Sequence, residues 1–171
     1  FGVVEKMLVT PLSRMAIVLS RIFHSAVQVV LQCGIILMVA LMIGTKININ
    51  CTNLFFSMMT VFLLGVGFAA LSNGFAIMLK REEPLVVIGN SMTLPLMFFS
   101  SSFVPENFMP DWIRYLAMIN PVDYAVKAVR KILIEEWNIN LIAGEFIFVL
   151  LFAVITLIMA NYLFVNSNKG E

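Results

Sequence analysis

The chain has 171 residues, of which 61% are hydrophobic and 12% are charged, and its formal net charge is +1 at pH 7. Soluble domains contain roughly half apolar and about a quarter charged residues, so this composition excludes an ordinary soluble domain and a disordered chain. The small net charge excludes a basic nucleic-acid-binding module, which needs excess cations to hold phosphates. We therefore expect lipid to surround most of the chain.

The first 14 residues are apolar but too short to cross a bilayer. They carry Glu5 and Lys6 and break at Thr10-Pro11, because the residue before a proline is pushed out of helical geometry. This pattern predicts a short helix, a bend and a long helix that enters the membrane. The sequence begins with Phe1 instead of an initiator Met, and its first residues show no signal-peptide pattern. We therefore expect the chain to be part of a longer gene product.

Four stretches reach the length of about 20 mostly apolar residues that a helix needs to span a bilayer. They cover residues 22–43, 54–79, 85–104 and 141–165. Pro95 interrupts the third stretch, and Glu145 lies near the start of the fourth. None of them alternates like an outer-membrane strand, so we predict an all-α, polytopic membrane helix bundle with four transmembrane helices.

Polar side chains inside these spans are candidates for function, because a polar group in lipid usually faces protein or water. In the first span, spacings of three or four residues place several of them on one helix face, and others weaken the third span around Pro95. They either line a solute path or form hydrogen bonds between helices. They are His24, Gln28 and Gln32 in the first span, with Arg21 just before it on the same face, and Asn90 and Thr93 in the third.

The second span contains pairs of small residues four positions apart. Gly65 pairs with Ala69, and Ala70 pairs with Gly74. Such pairs allow the backbones of two membrane helices to approach closely, so we expect this span to pack closely against a neighbouring helix.

Two short helices are predicted in the long connection before the last span, residues 105–136. Pro110 and Asp111 suit the first turn of one helix, and Trp112 suits a membrane interface. Asn120 is the predicted N-cap of the other helix, with Asp123 as a capping-box-like acid.

The apolar residues after Asn120 recur at helical spacing, which predicts an amphipathic helix rather than a span. The two helices either lie on the membrane, dip into it and return, or pack as a cap over the bundle. The sequence alone does not decide between these arrangements.

Motifs for catalysis are absent from the sequence. It contains one histidine and no paired CxxC motif, so neither a site with several His ligands nor a zinc-finger-like site is expected. It also lacks a GxxxxGK[ST] loop, so we expect no ATP hydrolysis on this chain and no cofactor or metal of its own. Two cysteines, Cys33 and Cys51, are interpreted as unpaired thiols.

The distribution of basic residues does not decide the orientation of the chain in the membrane. Of the 11 Lys and Arg residues, 6 are predicted on the same side of the membrane as the N-terminus and 5 on the opposite side. The two sets are Lys6, Arg14, Arg21, Lys80, Arg81 and Lys169 against Lys46, Arg114, Lys127, Arg130 and Lys131.

The order of these motifs resembles type-2 ABC transporter permeases, which include daunorubicin-resistance-like drug exporters and polysaccharide exporters. Residues 5–14 resemble the family's E-x-L-x-x-T-P-L-S segment, and residues 94–105 resemble its segment of hydrophobic and small residues between two prolines. Residues 109–113 and 120–130 resemble its lP-x-W and NP-x-x-Y-x-x-x-x-x-R signatures. The matching signature residues are Pro105, Pro110, Trp112, Asn120, Pro121, Tyr124 and Arg130.

The resemblance implies the membrane subunit of an ATP-driven exporter in the plasma (inner) membrane. Such permeases have six spans, of which this chain would hold the last four, with residues 105–136 external or re-entrant. Residues 1–14 would hold the coupling helix that contacts the ATPase. The implied partners are two ATPase subunits that carry ATP and Mg²⁺, a second permease copy or paralogue, and membrane lipid. The implied coupling residues are Glu5, Lys6, Thr10, Pro11 and Arg14.

Two other functions remain open from the residues alone. A secondary transporter or channel would be favoured by an internal repeat of the spans, and none is visible. A membrane-embedded enzyme or assembly factor would need a polar cluster at one depth, and only the face from Arg21 to Gln32 comes close to one.

Overall fold

The computed structural model describes residues 14–47, 50–79, 83–103, 108–134 and 139–167. No strand occurs in these ranges, so the predicted all-α class is confirmed. The helices in the described residues are α1 (Arg14–Met42), α2 (Cys51–Leu79), α3 (Glu83–Phe98), α4 (Asp111–Ala117), α5 (Pro121–Ile134) and α6 (Ile139–Ser167).

Three of the described helices are long and apolar enough to cross a membrane. The qualifying segments are Val18–Met42 in α1, Cys51–Ala76 in α2 and Ile142–Phe164 in α6. Helix α3 has 16 residues and falls short of the about 20 that a bilayer core requires. It ends at Phe98, whereas the sequence predicted a span to residue 104.

The end of α3 has a physical cause in the side chain of Asn120. Its Nδ2 donates hydrogen bonds to the carbonyl oxygens of Leu96 at 2.6 Å and Phe99 at 3.0 Å. The last carbonyls of a helix have no partner within the helix, so these bonds satisfy acceptors where α3 stops. Pro95, by contrast, does not break α3, and its own carbonyl still accepts the N–H of Phe99 at 2.9 Å.

Helix α2 is the centre of the bundle and packs against both α1 and α6. Small residues bring the backbones together, as the spacing predicted: a Cβ added to Gly65 would lie 3.2 Å from Cα of Ala26 in α1. On the side facing α6, a Cβ added to Gly67 would lie 2.5 Å from the ring of Phe152. The sequence missed Gly67, which makes the closest approach of the three α2 glycines.

Helix α5 is amphipathic, as its pattern predicted, and it packs against α2 and α6. Ala128 and Ile132 are fully buried with Ile142 of α6, and the rings of Phe56 and Phe146 close this cluster edge to face at 6.1 Å. Helix α5 therefore lies at the end of the bundle where α2 and α6 begin and α3 ends. We call this the α5 end of the bundle.

Candidate functional site

Asn120 connects the end of α3 with the start of α5. Its Oδ1 accepts a hydrogen bond from the N–H of Val122 at 3.0 Å, so the predicted N-cap is confirmed. Its Nδ2 donates to the last turn of α3, as described above, and the residue is only 4% exposed. One amide group thus satisfies backbone groups at two helix ends. Pro121 suits the first helical position because it has no N–H to satisfy.

Asp123 also contacts the chain just after α3, and the capping box predicted for it is not formed. Its Oδ1 accepts a hydrogen bond from the backbone N–H of Ser101 at 2.6 Å, and its Oδ2 lies 2.8 Å from Nζ of Lys127. The N–H of Asn120, which a capping box would have satisfied, donates to the carbonyl of Ala117 instead. Because Asp123 is 1% exposed, its charge requires these partners.

Arg130 holds the other backbone group of Ser101. Its Nη2 donates to the carbonyl oxygen of Ser101 at 3.1 Å, while Asp123 accepts from the N–H of the same residue. We call this set of contacts the α3–α5 clamp. It consists of Leu96, Phe99 and Ser101 on one side and Asn120, Asp123 and Arg130 on the other.

Tyr124 fastens α5 on its other side. Its hydroxyl donates to the carbonyl of Met118 at 3.0 Å, and its ring stacks on Phe148 of α6 with 3.9 Å between ring centroids. The motif residues therefore all orient α5: Asn120 and Arg130 bind the end of α3, and Tyr124 contacts Met118 and α6.

An ion pair links α5 to α6. Nζ of Lys131 donates to Oε1 of Glu145 at 2.6 Å, and the two side chains are 32% and 15% exposed. Sequence reasoning noted Glu145 as the single acid near the start of a span but did not find its partner. The signal was present, since an acid in an apolar stretch implies a cation close by.

Pro110 and Trp112 lie at α4, beside the clamp. The carbonyl of Pro110 accepts the N–H groups of Ile113 at 3.0 Å and Arg114 at 3.1 Å, which starts α4 as its sequence predicted. The ring of Trp112 is 60% exposed and meets the ring of Phe99 edge to face at 6.1 Å. Pro105 lies outside the described residues.

The polar residues of the spans do not join this cluster. His24, Gln28 and Gln32 are exposed on α1, whereas Ile22 and Ala26 form its buried side. Among the described residues these three side chains make no hydrogen bond to another helix. Their role in a solute path therefore stays a prediction.

The remaining predicted positions are only partly described. Thr93 is exposed and donates to the carbonyl of Gly89 in its own helix at 2.7 Å, while Asn90 is known only as a position in α3. Arg14 is the first residue of α1. The other coupling residues, Glu5, Lys6, Thr10 and Pro11, lie outside the described residues.

Several curated relatives are named as permeases. The transport permease named ycf38 from Cyanophora paradoxa is 30% identical over 131 residues, which are 76% of this chain and 45% of that protein. The ycf38 permease from Pyropia yezoensis is 29% identical over 182 residues, covering 100% of this chain and 62% of that protein. A protein named doxorubicin resistance ABC transporter permease protein DrrC, from Mycobacterium tuberculosis, is 27% identical over 131 residues. The match covers 76% of this chain and 47% of that protein.

The chain spans about half the length of most curated relatives it matches. No solved structure matches it. The sequence model of the ABC-2 type transporter family matches residues 1–134, which include the whole α3–α5 clamp. The chain therefore belongs to the ABC-2 type transporter family and is a multi-pass membrane protein.

Proposed function

We propose that the chain is part of the permease subunit of an ATP-driven exporter, which forms the solute path and is coupled to a separate ATPase. The family match over residues 1–134 carries this proposal, because it includes both the N-terminal segment and the α3–α5 clamp. The resistance permease among the relatives supports export as the direction of transport.

In this proposal, residues 1–14 form a coupling helix in the cytoplasm. Glu5 and Lys6 make polar contacts with the ATPase, Thr10-Pro11 bends the chain, and Arg14 lies where α1 begins. Closure of two ATPase subunits around ATP and Mg²⁺ moves this helix, and the spans follow as rigid bodies. A second permease copy or a paralogue completes the path.

The proposed topology has four spans, with α3 as the third of them. The α5 end of the bundle faces outward, and α4 and α5 are external or re-entrant. Two features support this arrangement: α4 has 7 residues, and α5 is an amphipathic helix whose apolar side packs on α2 and α6. The membrane is the plasma (inner) membrane in this proposal.

The proposed solute path runs between the two permease halves. His24, Gln28 and Gln32 support a path along α1, because they are exposed at positions within a membrane span. Asn90 and Thr93 of α3 are the other proposed lining residues. The alternative is that these exposed side chains form hydrogen bonds to a helix in another part of the assembly.

The coupling role can be tested by substituting Glu5 and Lys6 in the full-length protein. We expect Glu5→Ala and Lys6→Ala each to reduce the amount of ATPase that copurifies, while insertion into the membrane stays normal. Lys46→Ala is the matched control, since Lys46 is an exposed cation in the loop after α1, on the opposite side of the membrane in this topology. Wild-type amounts of ATPase with both coupling variants would remove these residues from the coupling role.

A further inference from the structure

A groove with a volume of about 370 Å³ lies between α2, α5 and the loop after α1. All ten residues that line it belong to the described part of the chain, so both of its walls are known. Eight of the ten are apolar, and the other two are Thr45 and Arg130. Pockets for small molecules have this size and this composition, an apolar lining with a few polar groups.

The groove extends from the α5 end of the bundle toward the middle of α2. Val61 and Leu64 lie about 15 and 20 Å along α2 from its first residue, Cys51, at a rise of about 1.5 Å per residue. Thr45 and Ile47 line the groove from the loop that precedes α2, and we call this end its mouth. The groove is therefore oriented along the helices and not across them.

Helix α5 forms the second wall and has the same orientation, with its N-terminal part deeper than its C-terminal part. Tyr124 stacks on Phe148, whereas Ile132 is buried with Ile142, closer to the start of α6. Phe148 lies about 9 Å inside the apolar segment Ile142–Phe164. Since each leaflet contributes about 15 Å of hydrocarbon, the groove has the direction and depth of an acyl chain in one leaflet.

Water is a poor occupant of this groove. Its volume equals that of about twelve waters at about 30 Å³ each, and each buried water needs roughly two to four polar partners. The lining offers two polar side chains, and the hydroxyl of Thr45 already donates to the carbonyl of Ala40 at 2.7 Å. A hydrocarbon chain needs no such partners, so it fits the lining better.

Arg130 is the charged residue in the lining. It lies one turn before Ile134, the last residue of α5, and is therefore near the mouth. Its Nη2 donates to the carbonyl of Ser101 at 3.1 Å, which holds the guanidinium in place. A guanidinium has five N–H donors in a planar fork that matches phosphate oxygens, and the lining contains no acid that would compete for them.

We propose that this groove holds one acyl chain of an anionic phospholipid from the leaflet at the α5 end of the bundle, with its phosphate bound by Arg130. The apolar walls select a hydrocarbon chain, and the single cation near the mouth selects a negative headgroup. The lipid is a bound component of the permease and not its cargo. The proposal therefore goes beyond the transport function and does not rest on it.

The test is native mass spectrometry of the full-length protein, stripped of lipid in detergent and measured without the ATPase. Phosphatidylglycerol and phosphatidylcholine with identical chains are added separately. We expect one phosphatidylglycerol per chain to be retained at a concentration about five-fold lower than phosphatidylcholine, which is the effect of one cation near an anionic headgroup. Soluble glycerol 3-phosphate should not displace it, because it lacks the acyl chain.

Substitutions separate the headgroup contact from the chain contact. Arg130→Gln should bring the two lipids to equal retention and leave phosphatidylcholine unchanged, whereas Arg130→Lys should keep part of the preference. A loss of structure alone would lower the retention of both lipids and would not remove the preference.

Val129→Phe places a ring in the groove and should lower the retention of both lipids about five-fold or more. The matched control is Val154→Phe, at an exposed position in the span of α6, which should leave the retention of both lipids unchanged.

Three results would overturn the proposal. Equal retention of the two lipids by the unsubstituted protein would exclude the anionic headgroup, and displacement by glycerol 3-phosphate would indicate a site for free phosphate. Unchanged retention in Val129→Phe would show that the lipid binds elsewhere and that another part of the permease fills the groove. If Arg130→Gln does not accumulate, Arg130→Lys and Val129→Phe decide. Since the ATPase is absent throughout, failure to find an ATPase partner would overturn the transport function and not the lipid site.

Discussion

The carboxylate of Asp123 and the backbone N–H of Ser101 are 22 positions apart in sequence and 2.6 Å apart in space. The bond joins the start of an amphipathic helix to the chain that follows α3, and both residues are buried. It brings a motif of the connection before the last span into direct contact with the preceding helix. The motif therefore attaches α5 to the end of α3.

Asn120 is predicted to contribute more through its link to α3 than through its cap. Asn120→Asp keeps an oxygen for the N–H of Val122 but loses the N–H donors to Leu96 and Phe99. It should lower the free energy of unfolding by about 2–3 kcal/mol, since two carbonyls lose their donor and face a carboxylate instead. Thermal unfolding in detergent measures this, with Asn50→Asp, at an exposed position just before α2, as the control. A midpoint equal to that of the control would contradict the link.

The charged residues Lys131 and Glu145 are predicted to be exchangeable between their two positions. Lys131→Glu places two carboxylates together and should cost about 1–3 kcal/mol, because both side chains are partly shielded from solvent. The exchanged double variant, Lys131→Glu with Glu145→Lys, should recover most of the loss.

The matched control for this exchange is the pair Asp111 and Arg114, which is 3.8 Å apart and largely exposed. Reversing Arg114 should change the unfolding midpoint little. No recovery in the exchanged Lys131–Glu145 double variant would show that the two residues act separately.

Gly67 is predicted to tolerate no side chain. Gly67→Ala would place Cβ 2.5 Å from the ring of Phe152, so that ring or α6 must shift, at a cost of about 1–3 kcal/mol. Gly34→Ala in α1 is the control, because nothing lies within 4 Å of its added Cβ. Equal unfolding midpoints for the two alanine variants would contradict a tight contact between Gly67 and the ring of Phe152.

The topology is predicted to place the α5 end of the bundle outside. In a protein whose native Cys33 and Cys51 are replaced by Ala, a cysteine at Lys46, in the exposed loop after α1, should react with a membrane-impermeant maleimide in intact cells. A cysteine at Arg81 should react only after the membrane is opened. A cysteine at Lys127 should also react in intact cells, but more slowly than the one at Lys46, because Lys127 is partly buried. Labelling of Arg81 alone in intact cells would invert the topology.

Much of the fold could be predicted from local signals. Long apolar runs indicated α1, α2 and α6, and Asn120-Pro121 marked the start of α5, because these signals depend on residues close in sequence. The end of α3 could not be predicted in this way. It depends on Asn120, which is 24 positions after Leu96, and the apolar run itself continues past Phe98.

The site was predicted in its residues but not in its contacts. Asn120, Tyr124 and Arg130 were singled out by their motif, and the structure brings them together around α5. Ser101 was missed, since a backbone N–H leaves no mark in a single sequence. The acid Glu145 in an apolar stretch indicated a cation nearby, but the choice of Lys131 required the tertiary structure. Asp123 was assigned a local bond, because a capping box is the common use of an acid at that position. Its actual bond to Ser101 required the tertiary structure.

The central claim is that this chain works with a separate ATPase. Its most direct test is purification of the tagged full-length protein from native membranes in mild detergent, followed by measurement of bound nucleotide-binding subunit and of ATP hydrolysis. The account predicts a stoichiometric ATPase subunit and hydrolysis that a Walker-lysine substitution in that subunit abolishes. A stable permease without such a partner, in two different detergents, would contradict it.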